Sequence, residues 1–272
     1  MSHPFTLPRL GAALLVTLSA LSGLLTTPAA QAQDSRLYQV TKSGVVRVCQ
    51  YTSYYSISYR DPASGEIVGL DADLAQELAK ELGVELQIVE TNFATFIADL
   101  QADKCEIGMF GVGATLKRAQ AVAFSDPYLV TSIYGVAKKG GPISQWSDID
   151  QEGHVVVVSL GSYVQTVMEA LLDEATVKPI APPATREGEV VTGNADIMMT
   201  DWPTVLKLQE NFDWVQVIEP EEVVGLTPYA YVVPHGDPIW LGWVNLFVDT
   251  IKRDGRLAQY AAKHNLGPIV AP

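Results

Sequence analysis

Residues 45–111 decide the fold, because strand and helix patterns alternate along them. The successive segments read VVRVC (45–49), DADLAQELAKELG (71–83), VELQIVE (84–90), FATFIADLQAD (93–103) and CEIGMFG (105–111). Short runs rich in valine and isoleucine favour strands, whereas leucines at every fourth position favour a helix with one buried face. This order predicts an α/β fold in which a mostly parallel sheet is covered by helices.

A second block of the same kind follows KKGGP (138–142). It contains a strand pattern at 155–161, a helix pattern at 162–175, a proline-rich connection and the strand ADIMMTD at 195–201. Two comparable halves predict two lobes, and the C-terminal ends of both sheets should face a shared crevice, where open α/β sheets usually bind ligands. We expect residues 33–131 and 231–272 to form lobe 1 and residues 132–230 to form lobe 2.

The first residues predict export. Arg9 precedes the apolar run LGAALLVTLSALSGLL (10–25), and Ala30, Gln31 and Ala32 provide a small-x-small cleavage site. The run is shorter than the roughly 20 apolar residues that a membrane-spanning helix needs. We therefore expect a signal peptide over residues 1–32 and a periplasmic mature protein without a lipid anchor, since no cysteine lies near the cleavage site.

The composition excludes several classes of function. The chain has 18 Lys and Arg against 31 Asp and Glu, a formal charge of −13, and removing residues 1–32 leaves 17 against 31, or −14. Nucleic acid is therefore not an expected partner, because phosphate binding needs a basic surface. Metal-binding spacings, a Walker loop, a GxSxG elbow and a dinucleotide fingerprint are missing, so we expect no metal and no cofactor.

Cys49 and Cys105 are the only two cysteines. An exported protein permits them to pair. Residues at different heights on neighbouring parallel strands, however, miss the Cα separation of at most about 7 Å that a disulfide requires. The sequence therefore leaves the pairing open.

A glycine-rich turn with a following cation is the first candidate site. Gly111 and Gly113 end an apolar strand, and Arg118 follows within the same turn. Glycines let a ligand approach the main chain, and backbone amides beside a guanidinium suit a carboxylate. The alternative interpretation is a tight surface turn with a solvated arginine.

The second half of the chain offers complementary groups. Gly161 and Ser162 stand where a buried strand passes into a helix, so helix N-terminal amides could bind the same anion, although an ordinary N-cap is the alternative. Asp201 ends an apolar strand and could hold an ammonium group, or it could cap the next helix. Among the aromatic residues that follow the first two strands, we select Tyr54 and Phe93 as pocket walls.

Several motifs together resemble the family 3 extracellular solute-binding proteins of ABC importers, which include polar amino-acid binders. The resemblance covers about residues 42–260 and rests on segments whose order and spacing are specific, namely GVVRVC (44–49), GEIVGLDADLAQELAKELGV (65–84), TLKRAQAVAFSDPY (115–128), VSLGS (158–162), ADIMMTD (195–201) and DGRLAQY (254–260). It implies the periplasmic binding protein type II fold, with two lobes joined by a two-strand hinge. It also implies a monomer that delivers a small carboxylate-bearing solute to a membrane permease.

The resemblance implies roles for the candidate residues. Arg118 would pair with the α-carboxylate of an amino acid and Asp201 would hold its α-amino group. The remaining positions would supply main-chain contacts or pocket walls, namely Gly111, Gly113, Gly161, Ser162, Tyr54 and Phe93. Amino-acid binders often have serine or threonine where Gly111 and Gly113 stand, so those hydroxyl contacts are lost here.

The alternative hypothesis is that the protein is an enzyme. The segments RVC (47–49), SYRDP (58–62), TLKR (115–118) and ADIMMTD are also similar to periplasmic cyclohexadienyl dehydratases, which share this fold. Such a lyase needs an acid to protonate the leaving hydroxyl, and a glutamate is expected soon after the aspartate that ends the strand. Trp202, Pro203 and Thr204 occupy that turn, so we expect a binding protein without catalytic residues. The sequence leaves open whether Trp202 faces the crevice or the core.

Overall fold

The computed structural model describes residues 1–2 and 34–272. The predicted signal peptide, apart from its first two residues, therefore lies outside the described residues. Within the described part of the chain, no helix combines the length and the apolar character that crossing a bilayer requires. Apart from residue 33, both predicted lobes fall inside residues 34–272.

Helices and strands alternate along these residues. The strands are β1 Val45–Gln50, β2 Ser53–Tyr54, β3 Ser58–Arg60, β4 Ile67–Val68, β5 Glu85–Glu90, β6 Ile107–Gly108, β7 Ala123–Thr131, β8 Ile133–Lys138, β9 Val155–Ser159, β10 Thr176–Ile180, β11 Ile197–Asp201, β12 Val215–Ile218 and β13 Thr227–Val233. The helices are α1 Arg36–Ser43, α2 Leu70–Leu82, α3 Phe96–Gln101, α4 Tyr163–Leu171, α5 Arg186–Thr192, α6 Trp202–Asn211, α7 Pro238–Arg253 and α8 Arg256–Lys263. The predicted α/β fold is confirmed.

The main β-sheets of the two lobes have the same arrangement of parallel and antiparallel strands. Lobe 1 contains a sheet in the order β5-β1-β6-β13-β7, and lobe 2 contains one in the order β10-β9-β11-β8-β12. In each sheet the first three strands run parallel and the last two join antiparallel. The two-lobed architecture expected from the resemblance is therefore confirmed, with half of the pairings in each sheet parallel.

The leucine pattern of α2 has the predicted consequence. Leu74 and Leu78 are completely buried, and Leu82 packs against the same core. Gly83 ends the helix with φ 68°, a left-handed conformation that glycine adopts without steric cost. This helix is thereby fixed on the lobe 1 sheet.

The chain crosses between the lobes twice. Ser132 alone separates β7 from β8, which belong to different sheets. On the way back, the carbonyl of Val224 still accepts a hydrogen bond from Ile133 of lobe 2, whereas Thr227 already pairs with Thr131 of lobe 1. The return crossing therefore precedes Thr227, and the expected boundary after residue 230 is wrong by a few residues, because β13 as a whole pairs with β7.

The last two helices pack on lobe 1. The Trp240 indole on α7 donates to the carbonyl of Glu106 at 2.9 Å, and Arg256 on α8 forms an ion pair with Glu77 of α2 at 3.0 Å. The C-terminal helices after the second crossing thus pack against lobe 1.

The two cysteines form a disulfide. Cys49 lies in β1, and Cys105 lies two residues before β6, with 5.6 Å between their Cα atoms. The sequence left open whether these two cysteines pair. They can pair because Cys105 lies ahead of β6, where its Cα atom is close enough to that of Cys49. This disulfide ties β1 to the segment that leads into the glycine-rich turn.

Candidate functional site

The two lobes meet over a small cavity of about 20 Å³. Its walls come from the segments that follow β1 and β5 in lobe 1, from β13, and from the C-terminal ends of β9 and β11 with the start of α4 in lobe 2. A cavity of this size has room for about one water molecule. The facing side chains of the two lobes are therefore in direct contact.

Asp201 is the last residue of β11 and is buried in this contact. Its Oδ2 atom accepts hydrogen bonds from the hydroxyls of Tyr54 and Tyr229. Its Oδ1 atom accepts from Thr204 at 3.0 Å and from Thr200 at 3.4 Å. The carboxylate makes no capping bond to the α6 backbone, so its four hydroxyl partners, and not the helix, account for its position.

Two of these hydrogen bonds cross between the lobes, because both tyrosines belong to lobe 1. The Tyr54 and Tyr229 hydroxyls also lie 2.9 Å from each other. Burial, together with the negative charge of Asp201, raises the pKa of both phenols well above the ordinary value. Both therefore stay protonated and donate to the carboxylate.

Arg118 makes the second contact between the lobes. Nη1 donates to the carbonyl of Gly113 at 2.9 Å, and Nη2 donates across the lobes to the carbonyl of Gly161 at 2.8 Å. The guanidinium lies over the rings of Phe93 and Phe96, 5.8 and 5.4 Å from their centroids. The residue is only 7% exposed, and burial lowers the pKa of its side chain to about 10.

The site thus contains one buried cation and one buried anion on opposite lobes. Among the described residues, neither Arg118 nor Asp201 takes part in an ion pair, with each other or with any third group. Burying a charge without a countercharge is unfavourable unless hydrogen bonds replace its hydration. Neutral carbonyls and hydroxyls fill that role here.

Gly111 and Gly113 were expected to let a ligand approach the main chain, but the structure gives them a different role. A Cβ atom on Gly111 would lie 2.8 Å from the Tyr54 ring, and its N–H already donates to Asp71 at 2.8 Å within lobe 1. A Cβ atom on Gly113 would lie 3.1 Å from the Tyr163 ring. The missing side chains therefore make room for aromatic rings, and the Gly111 amide is not free for a ligand.

Gly161 and Ser162 lie at the start of α4, as expected. Ser162 is the N-cap of this helix and accepts from the backbone of Gln165 at 3.2 Å. Gly161 has φ 76°, and a Cβ atom there would lie 2.6 Å from the carbonyl oxygen of Phe93 in lobe 1. The turn before α4 is therefore part of the contact between the lobes.

Phe93 lies at the junction of two cavities. It lines the 20 Å³ cavity and also a groove of about 620 Å³. Arg118 lines only the larger of these two spaces and Asp201 only the smaller, so Phe93 borders the cavities of both charged residues. Trp202, whose orientation was open, packs on Tyr134 in lobe 2 at 5.4 Å between ring centroids and lines neither cavity.

Sequence reasoning did not select three residues that the structure brings into the site. Tyr229 comes from the hinge strand β13, and Tyr163 follows the N-cap Ser162. The Tyr163 hydroxyl is buried and has no hydrogen-bond partner among the described residues. Arg186 begins α5, next to the N-cap Thr185. Only Tyr163 had a local signal, since it adjoins a predicted strand-to-helix turn.

A third cavity, of about 300 Å³, adjoins the central one on the side of Arg186. Tyr51, Tyr55 and Tyr59 form its aromatic wall, and Arg186 lines both this cavity and the central one. No cluster of three or more metal-ligating side chains occurs among the described residues. The arrangement suits recognition of a small polar organic molecule by charge and by aromatic contact.

Comparison with known proteins points to one family. The family of bacterial extracellular solute-binding proteins, family 3, matches residues 46–267. Cyclohexadienyl dehydratase of Pseudomonas aeruginosa is 29% identical over 247 residues, which cover 90% of this chain and 91% of that protein.

Solved structures agree with this result. An ancestral amino acid-binding protein, described as a precursor of cyclohexadienyl dehydratase, superposes with a TM-score of 0.78 at 32% identity, covering 84% of this chain and 99% of that one. A protein from Wolinella succinogenes, described as the binding component of an ABC transporter and complexed with lysine, gives a TM-score of 0.74 at 27% identity, covering 81% and 95%. The fold is therefore one that both binding proteins and an enzyme use.

Proposed function

Because the chain belongs to the bacterial extracellular solute-binding proteins of family 3, we propose that it is the substrate-binding component of an ABC importer. It captures a small carboxylate-bearing solute, an α-amino acid, between its two lobes and delivers it to a permease in the inner membrane. It acts as a periplasmic monomer. The observation that carries the proposal is the pair of buried, oppositely charged groups on opposite lobes, Arg118 and Asp201, which are not paired with each other.

The contacts between the lobes match an amino acid group by group. Arg118 donates to the Gly161 carbonyl, an acceptor that a solute carboxylate can replace. Asp201 accepts from the Tyr54 and Tyr229 hydroxyls, donors that a solute ammonium can replace. In each case a charged group takes the place of a neutral group of the same hydrogen-bonding polarity, which strengthens the bond.

Uptake requires the lobes to separate, because a cavity of about 20 Å³ does not admit an amino acid. The two crossings at Ser132 and before Thr227 lie side by side and provide the hinge. Hydrogen bonds with a charged partner contribute about 1.5–3 kcal/mol each. The Arg118 and Asp201 contacts could therefore supply much of the roughly −8 kcal/mol of a micromolar affinity.

Calorimetry with a panel of amino acids tests the proposal. Arg118→Ala and Asp201→Ala should each lower the affinity more than tenfold while the fold is retained. Arg253→Ala and Asp249→Ala are matched controls, because these two residues form an exposed ion pair on α7, and they should leave the affinity unchanged. Equal binding by wild type and both site variants would refute the amino-acid model.

A dehydratase is the second candidate, favoured by the 29% identity to the Pseudomonas enzyme. An acid catalyst must hold a proton to donate. Asp201 is the one carboxylate among the described residues that line the central cavity, and its two oxygens already accept hydrogen bonds from four hydroxyls. We therefore prefer solute binding. Conversion of prephenate or arogenate to an aromatic product would overturn this choice.

A further inference from the structure

Arg186 is a cation of the cleft that the proposed function does not use. It is partly buried and lines both the central cavity and the adjoining 300 Å³ cavity. Nη1 donates to the carbonyl of Met199 and to the hydroxyl of Thr200, both at 3.0 Å. Its other N–H groups have no hydrogen-bond partner, and it forms no ion pair, among the residues that the structure describes. The guanidinium is thus anchored on one side and available on the other.

These two hydrogen bonds place Arg186 next to the proposed ammonium position at Asp201. Thr200, which accepts from Arg186, is also a hydrogen-bond partner of Asp201 at 3.4 Å. A single hydroxyl therefore separates the guanidinium from the carboxylate. A solute whose ammonium group contacts Asp201 can reach Arg186 with a short side chain.

Arg186 gives this part of the cleft a positive charge, although Glu187 is the next residue in the sequence. Arg186 lines both the central cavity and the 300 Å³ cavity, whereas Glu187 lines only the 300 Å³ cavity. Arg186 is therefore the charged side chain of α5 that borders the central cavity. A cationic side chain entering from the Asp201 position would meet a like charge first.

We infer that Arg186 is a specificity-determining residue that binds a second acidic group of the solute, so that the preferred solutes are dicarboxylic amino acids such as aspartate and glutamate. This inference rests on the proposed function. The second acidic group is a third charge, in addition to the α-carboxylate and the α-ammonium group. Each of the three charges then has a partner of opposite sign in the cleft.

A purely structural role for Arg186 makes a different prediction. If the side chain only stabilised the end of β11 through Met199 and Thr200, its removal would weaken the binding of every solute to the same extent. A specificity role changes the ratio between solutes instead. The comparison of glutamate with glutamine is decisive, because the two differ only in the acidic group.

The test is calorimetric titration of the mature protein with L-glutamate, L-glutamine, L-lysine and prephenate. Wild type should bind glutamate at least tenfold more tightly than glutamine and more tightly still than lysine. Arg186→Gln should weaken glutamate binding at least tenfold and change glutamine binding less than threefold. Arg60→Gln is the matched control, because Arg60 lines the same 300 Å³ cavity but is exposed and paired with Glu90; it should leave the ratio unchanged.

The outcomes separate the two proposals. Tighter binding of glutamine or lysine than glutamate by wild type would overturn the role of Arg186 and leave amino-acid binding intact. An equal loss for all solutes in Arg186→Gln would show a structural role. Binding of prephenate alone, lost in Arg186→Gln, would retain the second acid site and overturn the amino-acid function. Binding of none of these solutes would overturn both.

Discussion

The buried carboxyl of Asp71 gives a sharp prediction about pH and stability. Asp71 lies in the first turn of α2, is completely buried, and forms no ion pair among the described residues. It accepts hydrogen bonds from the Gly111 amide at 2.8 Å, from Tyr128 at 2.5 Å and from Tyr231 at 3.4 Å. Both phenols stay neutral, because burial raises their pKa values well above the ordinary range. Asp71 therefore positions the turn that leads to the cleft without a countercharge.

The sign and size of the effect follow from the pKa. Burial raises the pKa of Asp71 from 3.8 to about 7, although the three hydrogen bonds oppose the change. Between pH 3.8 and about 7, the folded state binds more protons than the unfolded state. The free energy of unfolding is therefore highest below the pKa of Asp71 in the unfolded state. It falls as the pH rises through the pKa of Asp71 in the folded state. At 1.36 kcal/mol per pKa unit the whole loss is about 4 kcal/mol, of which about 2.5 kcal/mol falls between pH ~5 and pH ~8.

Asp71→Asn removes the titration, and urea unfolding at these two pH values measures the change. The variant should gain about 2.5 kcal/mol relative to wild type on going from the lower to the higher pH. Asp99→Asn is the matched control from the same lobe: burial acts on Asp99 too, but hydrogen bonds from Lys104 and Thr91 leave its pKa below the ordinary value. Its difference from wild type should not change with pH. An equally constant difference for Asp71→Asn would refute the reasoning.

Two further predictions concern the contact between the lobes and the disulfide. Gly161→Ala should weaken solute binding more than tenfold in calorimetry, because its Cβ would press on the Phe93 carbonyl and hold the lobes apart, whereas Gly193→Ala, with the same positive φ but no atom within 4 Å, should not. Equal losses in both variants would mean that backbone strain alone is responsible. Reduction of the bond between Cys49 and Cys105, which are 56 positions apart, should lower the free energy of unfolding by about 4 kcal/mol in the chain-entropy account. The double Cys49→Ser and Cys105→Ser variant should not respond to the reductant, and urea unfolding checks both statements.

The two-lobed fold could be read from the sequence because its signals are local. The leucines of α2 and the apolar runs of the strands reflect burial on one face or both, and neighbouring residues along the chain report it directly. The boundary error at β13 has a physical reason as well. Residues 227–230 look like a continuation of lobe 2, and only their pairing with β7 assigns them to lobe 1.

The site was predictable only in part. Arg118 and Asp201 stand at the ends of recognisable patterns, and both lie where the lobes meet. The role of Gly111 and Gly113 was not predictable, because the rings that need their space, those of Tyr54 and Tyr163, come from other segments. Arg186 has no motif of its own, since its importance comes from the two cavities that it lines.

By itself the sequence determined the class of this protein: an acidic, two-lobed α/β chain with one candidate cation and one candidate anion in different halves. Only the tertiary structure decided what surrounds those charges. Tyr54 and Asp201 are 147 positions apart, and Tyr54 and Tyr229 are 175 apart, so no local pattern could join them. The physical reason is that secondary structure follows from periodicity within a segment, whereas the environment of a buried charge depends on how the two lobes meet.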